Sequence, residues 1–479
     1  MCRSVRWKPP WREPHSGQLV LWAAVMLGVA IGARADDWPM AGHDPARTGC
    51  SGEYLVGPFE YEWVAHFDQK ITFAQLIVHR GAGYVGTLHG RVIRVDLRTG
   101  KAAWQTPVAG AVLGSVAAEG KRIFAADHGG RLTALDAETG KVLWTYDGGA
   151  PSVAHVLAID GTVVYTDLKG RCHAVAAETG RRVWAFDAGT MILHSPACDG
   201  SRVFFASEAM TLHAVSLAKG AKLWEARLLG MSLKEGWPVV STRTNTVMVS
   251  VMPLPNRATQ PVRDLQIHKL PRPGTPAEHQ AMQDRILAAI RRTQGAQVHW
   301  FLDTETGEEK FVAPMLYNCG RWATMAPACV DPNGNFVGMF MYPPARPLDR
   351  WQYRCTHQGT FSAKTGRLVG PYFTMGHAGW DEYAAHTLAG RTVFHNHWGM
   401  VWVQDMDAPP AARRRSAWQI DMPGHYLVNE RKRREGGYPG WGGAMQNGSN
   451  GVSIAGGRVY CISSSHIACA AGRRKGGAR

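Results

Sequence analysis

The sequence predicts an all-β fold, an eight-bladed β-propeller of four-stranded blades, on three observations. One phrase, Asp-x-x-Thr-Gly-x-x-x-Trp, returns with small changes every 40 residues: VDLRTGKAAW ending at Trp104, LDAETGKVLW at Trp144, VAAETGRRVW at Trp184 and VSLAKGAKLW at Trp224. A period of this length denotes a solenoid or a propeller. Within one period, GAVLGSVAAEG, KRIFAADHGG, RLTALDAETG and KVLWTY are four short alternating runs, each closed by Gly-containing turn chemistry, which is a blade and not a helix pair. Finally, the last unit, GVSIAGGRVYCISSSHIACAAG, stops before a fourth strand, and FEYEWVAHF at the other end of the chain supplies one, with Trp63 placed 41 residues before Trp104. A strand from the N-terminus that completes the last blade closes the ring and removes both free sheet edges.

Each part of the phrase has a mechanical reading. Asp accepts backbone hydrogen bonds inside a tight hairpin between the third and fourth strands, and Gly takes the left-handed conformation there. Trp stands on the outer strand, where its apolar face fills the gap to the next blade. Trp63, Trp104, Trp144, Trp184, Trp224 and Trp418 are the expected docking residues, while LDTETGEEKF repeats the turn with Phe311 in the Trp position. Two stretches interrupt the pattern. Residues 253–297 carry a helix with Thr275 as N-cap, Pro276 in the first turn, Glu278 completing a capping box and Met282, Ile286 and Ile290 on one stripe. That helix is either a lid or partner surface, or it packs on its own blade. Residues 423–450 form a long Gly-rich loop, and long loops in compact domains often carry function.

The start of the chain reads as an export signal. A basic stretch, MCRSVRWKPPWREPHSG, precedes the apolar QLVLWAAVMLGVAIGA and an Ala-Arg-Ala site at residues 33–35, which predicts a signal peptide over 1–35 rather than a membrane anchor. A lead-in at 36–58, the propeller at 59–472 and a basic tail at 473–479 follow. The expected location is periplasmic or extracellular, with no transmembrane segment in the mature chain and a monomeric state. Eight of nine cysteines follow the leader and none forms Cys-x-x-Cys, which disfavours zinc ribbons and covalent haem. Cys461 and Cys469 lie across a hairpin turning at Ser464-Ser465 and are either a disulfide or buried free thiols. The formal charge of +15 falls to about +11 without the leader. Its runs, Arg413–Arg415, Arg431–Arg434 and the tail, read as solvated loops, and export argues against nucleic acid as a partner.

The stretch Ala134 to Trp144 and the opening DDWPMAGHDPARTG resemble the tryptophan-docking repeat and the Trp-Pro-x-x-x-x-Asp-x-x-Arg-Thr-Gly entry of pyrroloquinoline-quinone-type (PQQ-like) eight-bladed propellers. The repeat match runs over residues 59 to 225 and fades afterwards. That family includes quinone-dependent alcohol and sugar dehydrogenases and the non-catalytic lipoprotein propeller of the outer-membrane barrel-assembly machinery, so the resemblance implies the fold and leaves function to the site. For the alcohol dehydrogenases it implies an adjacent Cys-Cys disulfide beside the quinone, a Trp stacking floor, calcium held by Glu and Asn, and an Asp base. PQQ and calcium are thus conceivable cofactors, but no two cysteines are adjacent and no such Glu, Asn and Asp set is placed by motif. Nor does a lipobox Cys follow the leader.

Residues entering the innermost strands ring the propeller axis, where ligands bind. The 40-residue register aligns Gln75, Ser115, His155 and Ser195, with His194 beside the last. Later blades add Lys234, Glu235 and Trp237; Arg321 and Trp322; His377 and Trp380, with Asp381 and Glu382 as candidate bases; then Gln446, Asn447 and Asn450. This ring suits a planar polar ligand, a sugar or a quinone, or it lines a water-filled channel with satisfied polar groups. His395 and His397 share a strand face and are either a metal pair or packed histidines. The function expected is an exported binding or scaffold propeller for a small polar ligand or a protein partner at its mouth. A quinone-dependent dehydrogenase is the alternative and a metal-dependent hydrolase the weaker one.

Overall fold

Every unit of the repeat folds as a four-stranded antiparallel blade, and eight such blades form the ring. The computed structural model describes residues 37–71, 74–233, 236–254, 257, 260–265, 275–313, 327–340, 357–367, 369, 373–374, 385–397, 400–407, 417–421, 451–463 and 465–474. Blade two shows the pattern: Ala117–Glu119 innermost, then Arg122–Ala126, Arg131–Asp136 and the outer strand Val142–Asp147. Its middle strands are almost wholly buried and its outer strand is mostly exposed, as alternating sequence against two neighbouring blades requires.

The recurring phrase does what its chemistry predicts. Asp136 Oδ1 accepts from the backbone N–H of Glu138 (3.1 Å) and Thr139 (2.8 Å), pinning the turn. Each docking indole then donates its Nε1–H to a carbonyl of the following blade: Trp63 to Leu97, Trp104 to Ala137, Trp144 to Ala177, Trp184 to Leu217 and Trp224 to Thr304, at 2.7 to 3.3 Å. Glycine in the turn answers two demands at once. Gly140 has φ +74°, and a methyl group there would stand 2.6 Å from Trp104 of the preceding blade. Gly140→Ala is therefore expected to cost about 2 kcal/mol or more in a urea titration, from left-handed strain plus displacement of the indole. Phe311 occupies the Trp position of blade five and packs on Gly366 in the same manner. Trp418 lies on the outer strand of blade seven, Ala417–Asp421, and its side chain is outside the described residues.

Ring closure follows the expected plan. Leu55–His66 pairs antiparallel with His466–Arg474 as the outer strand of blade eight. The hairpin that precedes it corrects one expectation. Its register sets Cys461 opposite Ala468 and Cys469 opposite Tyr460, so the two thiols point to opposite faces, and both are free and buried.

Blade five carries the inserted helix Pro276–Arg292, with Thr275 and Glu278 making both bonds of the capping box. Ile286 and Ile290 are buried in one cluster with Trp237, Phe301, Phe311 and Ala363, and Met282 packs partly against it. Asp284 meets Arg367 of blade six at 2.9 Å. The helix seals its own blade against the next, and no described helix is long and apolar enough to cross a membrane. The Gly-rich loop at 423–450 lies outside the described residues.

The lead-in departs most from expectation. Rather than preceding the propeller, it threads the axis. A strand that lines the axis leaves backbone N–H groups pointing inward, and such groups need acceptors. Carbonyls of the lead-in supply them: Trp38 O to Val78 N in blade one, Pro39 O to Ala118 N in blade two, Pro45 O to Cys198 N in blade four, Ala46 O to Val240 N in blade five, Thr48 O to Val330 N in blade six and Gly49 O to Leu388 N in blade seven, at 2.7 to 3.0 Å. Cys50–Ser51 then pairs parallel with Thr387–Ala389 of blade seven.

Candidate functional site

Arg47 is the hub of this arrangement. It is fully buried, with Nε donating to Pro196 O at 3.0 Å, Nη2 to His155 O at 3.0 Å and Val156 O at 3.4 Å, and Nη1 to Ala41 O. Its guanidinium carbon lies 5.7 Å over the Trp237 ring, a cation–π contact in a desolvated setting. Burial draws the Arg47 pKa down to about 9, while the Asp44 carboxylate pulls the other way. Carbonyls of blades three and four and of the lead-in thus hold one positive charge on the axis.

Around it, the expected ring residues form a belt. Gln75 N donates to Ser115 Oγ (2.9 Å), Ser115 N to His155 Nδ1 (2.9 Å), His155 N to Ser195 Oγ (2.8 Å) and Ser195 N to Gly236 O (2.7 Å). Each blade hands its N–H to the next blade's residue at the same level, which explains why the 40-residue register places polar side chains here. Gln75 Oε1 accepts from Trp38 Nε1 at 3.1 Å and from Gly42 N at 2.7 Å, tying the belt to the lead-in. His155 Nδ1 is an acceptor, so the ring is neutral. Burial first, and Arg47 second, lower its pKa to about 3. His194, also buried, accepts Thr166 Oγ1–H on its carbonyl at 2.7 Å, and its pKa falls to about 4 through burial. Trp237 meets the His155 ring edge-on at 5.0 Å.

The sequence reading set these side chains at an open mouth. Instead Gln75, Ser115, His155, His194, Ser195 and Trp237 are only 1 to 3% exposed, because the lead-in and its guanidinium occupy the space they face. Lys234, Glu235, Arg321, Trp322, His377, Trp380, Asp381, Glu382, Gln446, Asn447 and Asn450 lie outside the described residues. His395 and His397 do lie on one strand of blade seven, Thr392–His397, opposite Trp402 and Met400, and their side chains are likewise outside the described residues. Sequence reasoning overlooked Arg47 and Trp38 as working residues. The signal was present in the entry motif itself, whose Trp and Arg are these two side chains.

For the quinone and calcium that the resemblance implies, the described residues offer no ligand set. Among them no group of three or more His, Cys, Asp or Glu side chains stands ready to hold a metal ion. Gln75, Ser115, His155 and Ser195 are hydrogen-bonded within the protein, while the buried Nδ1 of His194 has no hydrogen-bond partner among the described residues.

Eight blades, five of them joined to the next by a docked tryptophan, closed by an N-terminal strand and bonded on the inner side of six of them to their own lead-in, define the propeller. The chain has the fold of the PQQ-type eight-bladed propellers, and its residues 88–252 match the family model described as "Outer membrane protein assembly factor BamB". Among solved structures it is similar to BamB from Moraxella catarrhalis, at 14% identity and a TM-score of 0.55 over 86% of this chain and 100% of that one. It is also similar to a europium-containing methanol dehydrogenase (14% identity, TM-score 0.54, 81% and 85% covered). The quinohemoprotein alcohol dehydrogenase from Comamonas testosteroni is a third such structure (12% identity, TM-score 0.54, 94% and 83% covered). No curated protein matches.

Proposed function

We propose that this chain is an exported scaffold propeller that docks a partner protein, and that the docking face bears Met191, Leu229 and Met231. The carrying observation is that these three side chains are 43, 40 and 49% exposed around a single turn. Met191 O accepts from Glu208 N (2.9 Å), and the Glu208 carboxylate accepts from Ser232 Oγ (2.9 Å) and Leu233 N (3.1 Å), so the connections into blades four and five meet at the Glu208 turn. Methionine is unbranched and polarizable, and it suits a surface that must accommodate an apolar segment of another protein. The hydrogen bonds that Gln75, Ser115, His155 and Ser195 make to one another around the axis favour a protein partner over a small polar ligand, and the BamB likeness supports the same reading.

The test places a photo-reactive side chain at Met231 and, as a control, at Arg98 on an exposed turn of blade one. Discrete adducts at position 231 alone are expected, and Leu229→Asp should weaken binding of the adducted partner about tenfold or more without shifting the thermal midpoint. Retention of PQQ with calcium and substrate-dependent dye reduction by the mature chain, or adducts equal at both positions, would overturn the reading.

A further inference from the structure

We propose that His66 and His466 form a two-imidazole site for a borderline divalent transition-metal ion such as Zn²⁺ or Ni²⁺, placed across the seam that closes the ring. The two residues sit directly opposite each other at the last rung between Leu55–His66 and His466–Arg474. Phe67 N, one residue beyond this rung, donates to Ser465 O at 2.8 Å. That bond makes the 66/466 rung a non-hydrogen-bonded pair, the kind in which the two Cα atoms and their side chains approach most closely. The imidazole centroids are 4.7 Å apart and the planes are inclined by 57°.

Two bases that repel when protonated are a poor choice for a rung whose only task is adhesion, and as a chelating pair they are well chosen. His466 Nδ1 lies 3.2 Å from Ser465 Oγ, and His66 Nδ1 lies 3.7 Å from the Asp68 carboxylate. Nδ1 of each ring therefore faces a polar neighbour, which leaves Nε2 as the ligating atom, and the carboxylate offsets the charge of a bound cation. Imidazole nitrogen binds zinc at about 2.0–2.1 Å, and water completes the coordination, since no third ligand of the His, Cys, Asp or Glu type joins the pair among the described residues. The His66 side chain is 56% exposed, so an ion reaches the site from solvent. Held there, it ties the first strand of the ring to the last and stabilises the closed form by mass action.

The experiment follows the thermal midpoint of the mature chain in ZnCl₂ or NiCl₂ against EDTA, with the dissociation constant from calorimetry. The midpoint should rise with metal concentration and fall back on chelation, and His66→Asn and His466→Asn should each lose the rise and bind at least about tenfold more weakly. Both positions are at the surface rim, so the variants keep the metal-free midpoint. A wild-type chain indifferent to metal, or variants that respond as the wild type does, would overturn the site.

Discussion

Arg47→Met is expected to lower the unfolding free energy by about 3 kcal/mol or more. Methionine keeps the length and much of the volume and removes every donor. Four carbonyls, those of Ala41, His155, Val156 and Pro196, then face a dry site without a partner, at about 1–3 kcal/mol for each group left unsatisfied. One term opposes this. A buried guanidinium is itself costly, as its lowered pKa records, and its removal returns part of that cost. The fork geometry decides the balance, because one planar group joins the lead-in to blades three and four. Lysine, which keeps the charge as a single point, should restore less than half of the loss. Urea unfolding of wild type, R47M and R47K checks the order. A loss below about 1 kcal/mol would mean that water takes over the carbonyls and that the lead-in is an ornament on a ring stable without it.

The blades were legible in the sequence because their adhesive chemistry is local. Asp136 and Gly140 act within one turn, and Trp104 reaches one blade along, so each leaves its mark once per 40 residues. The belt was half legible. Register alone put Gln75, Ser115, His155 and Ser195 at one level, but a period says which residues share a level and not what fills the space between them. What fills it is bonded to partners dispersed over the chain: Trp38 to blade one, Arg47 to blades three and four, Gly49 to blade seven. No local pattern announces such contacts. The cysteine pair shows a different failure. In a two-residue hairpin turning at Ser464-Ser465, facing residues have numbers that sum to an odd value, as Ser463 and His466 do, whereas 461 and 469 sum to an even one. Counting the register would have put the thiols on opposite faces without any structure.

Acidification should destabilise the propeller from pH 6.5 downward, ahead of the titration of its carboxylates. His155 and His299 have pKa values lowered to about 3, and His194 and His386 to about 4, from an ordinary 6.5. Burial is the first cause in all four, with Arg47 adding to it at His155 and His386 adding to it at His299. Each is neutral in the folded chain. Stability from these groups is therefore complete above pH 6.5, where neither state is protonated, and is lost as the pH falls, because the unfolded chain takes up protons that the folded one refuses until pH 3 to 4. Each histidine contributes a slope of about 1.4 kcal/mol per pH unit once the pH is well below 6.5, and four together give about 5 kcal/mol per unit. Against a typical total of about 5–15 kcal/mol, that slope exhausts the fold within about one to three units. The buried carboxyl of Asp127, whose pKa is raised, opposes the trend with a single proton and nearer its own range, too little to reverse it. Urea midpoints at pH 7.5, 6.5 and 5.5 should fall progressively more steeply, and His155→Gln should flatten the curve by one proton's slope. A stability that stays level down to pH 5 would overturn the prediction: the rings would then be protonated in the fold, and His155 Nδ1 would not be the acceptor of the Ser115 N–H.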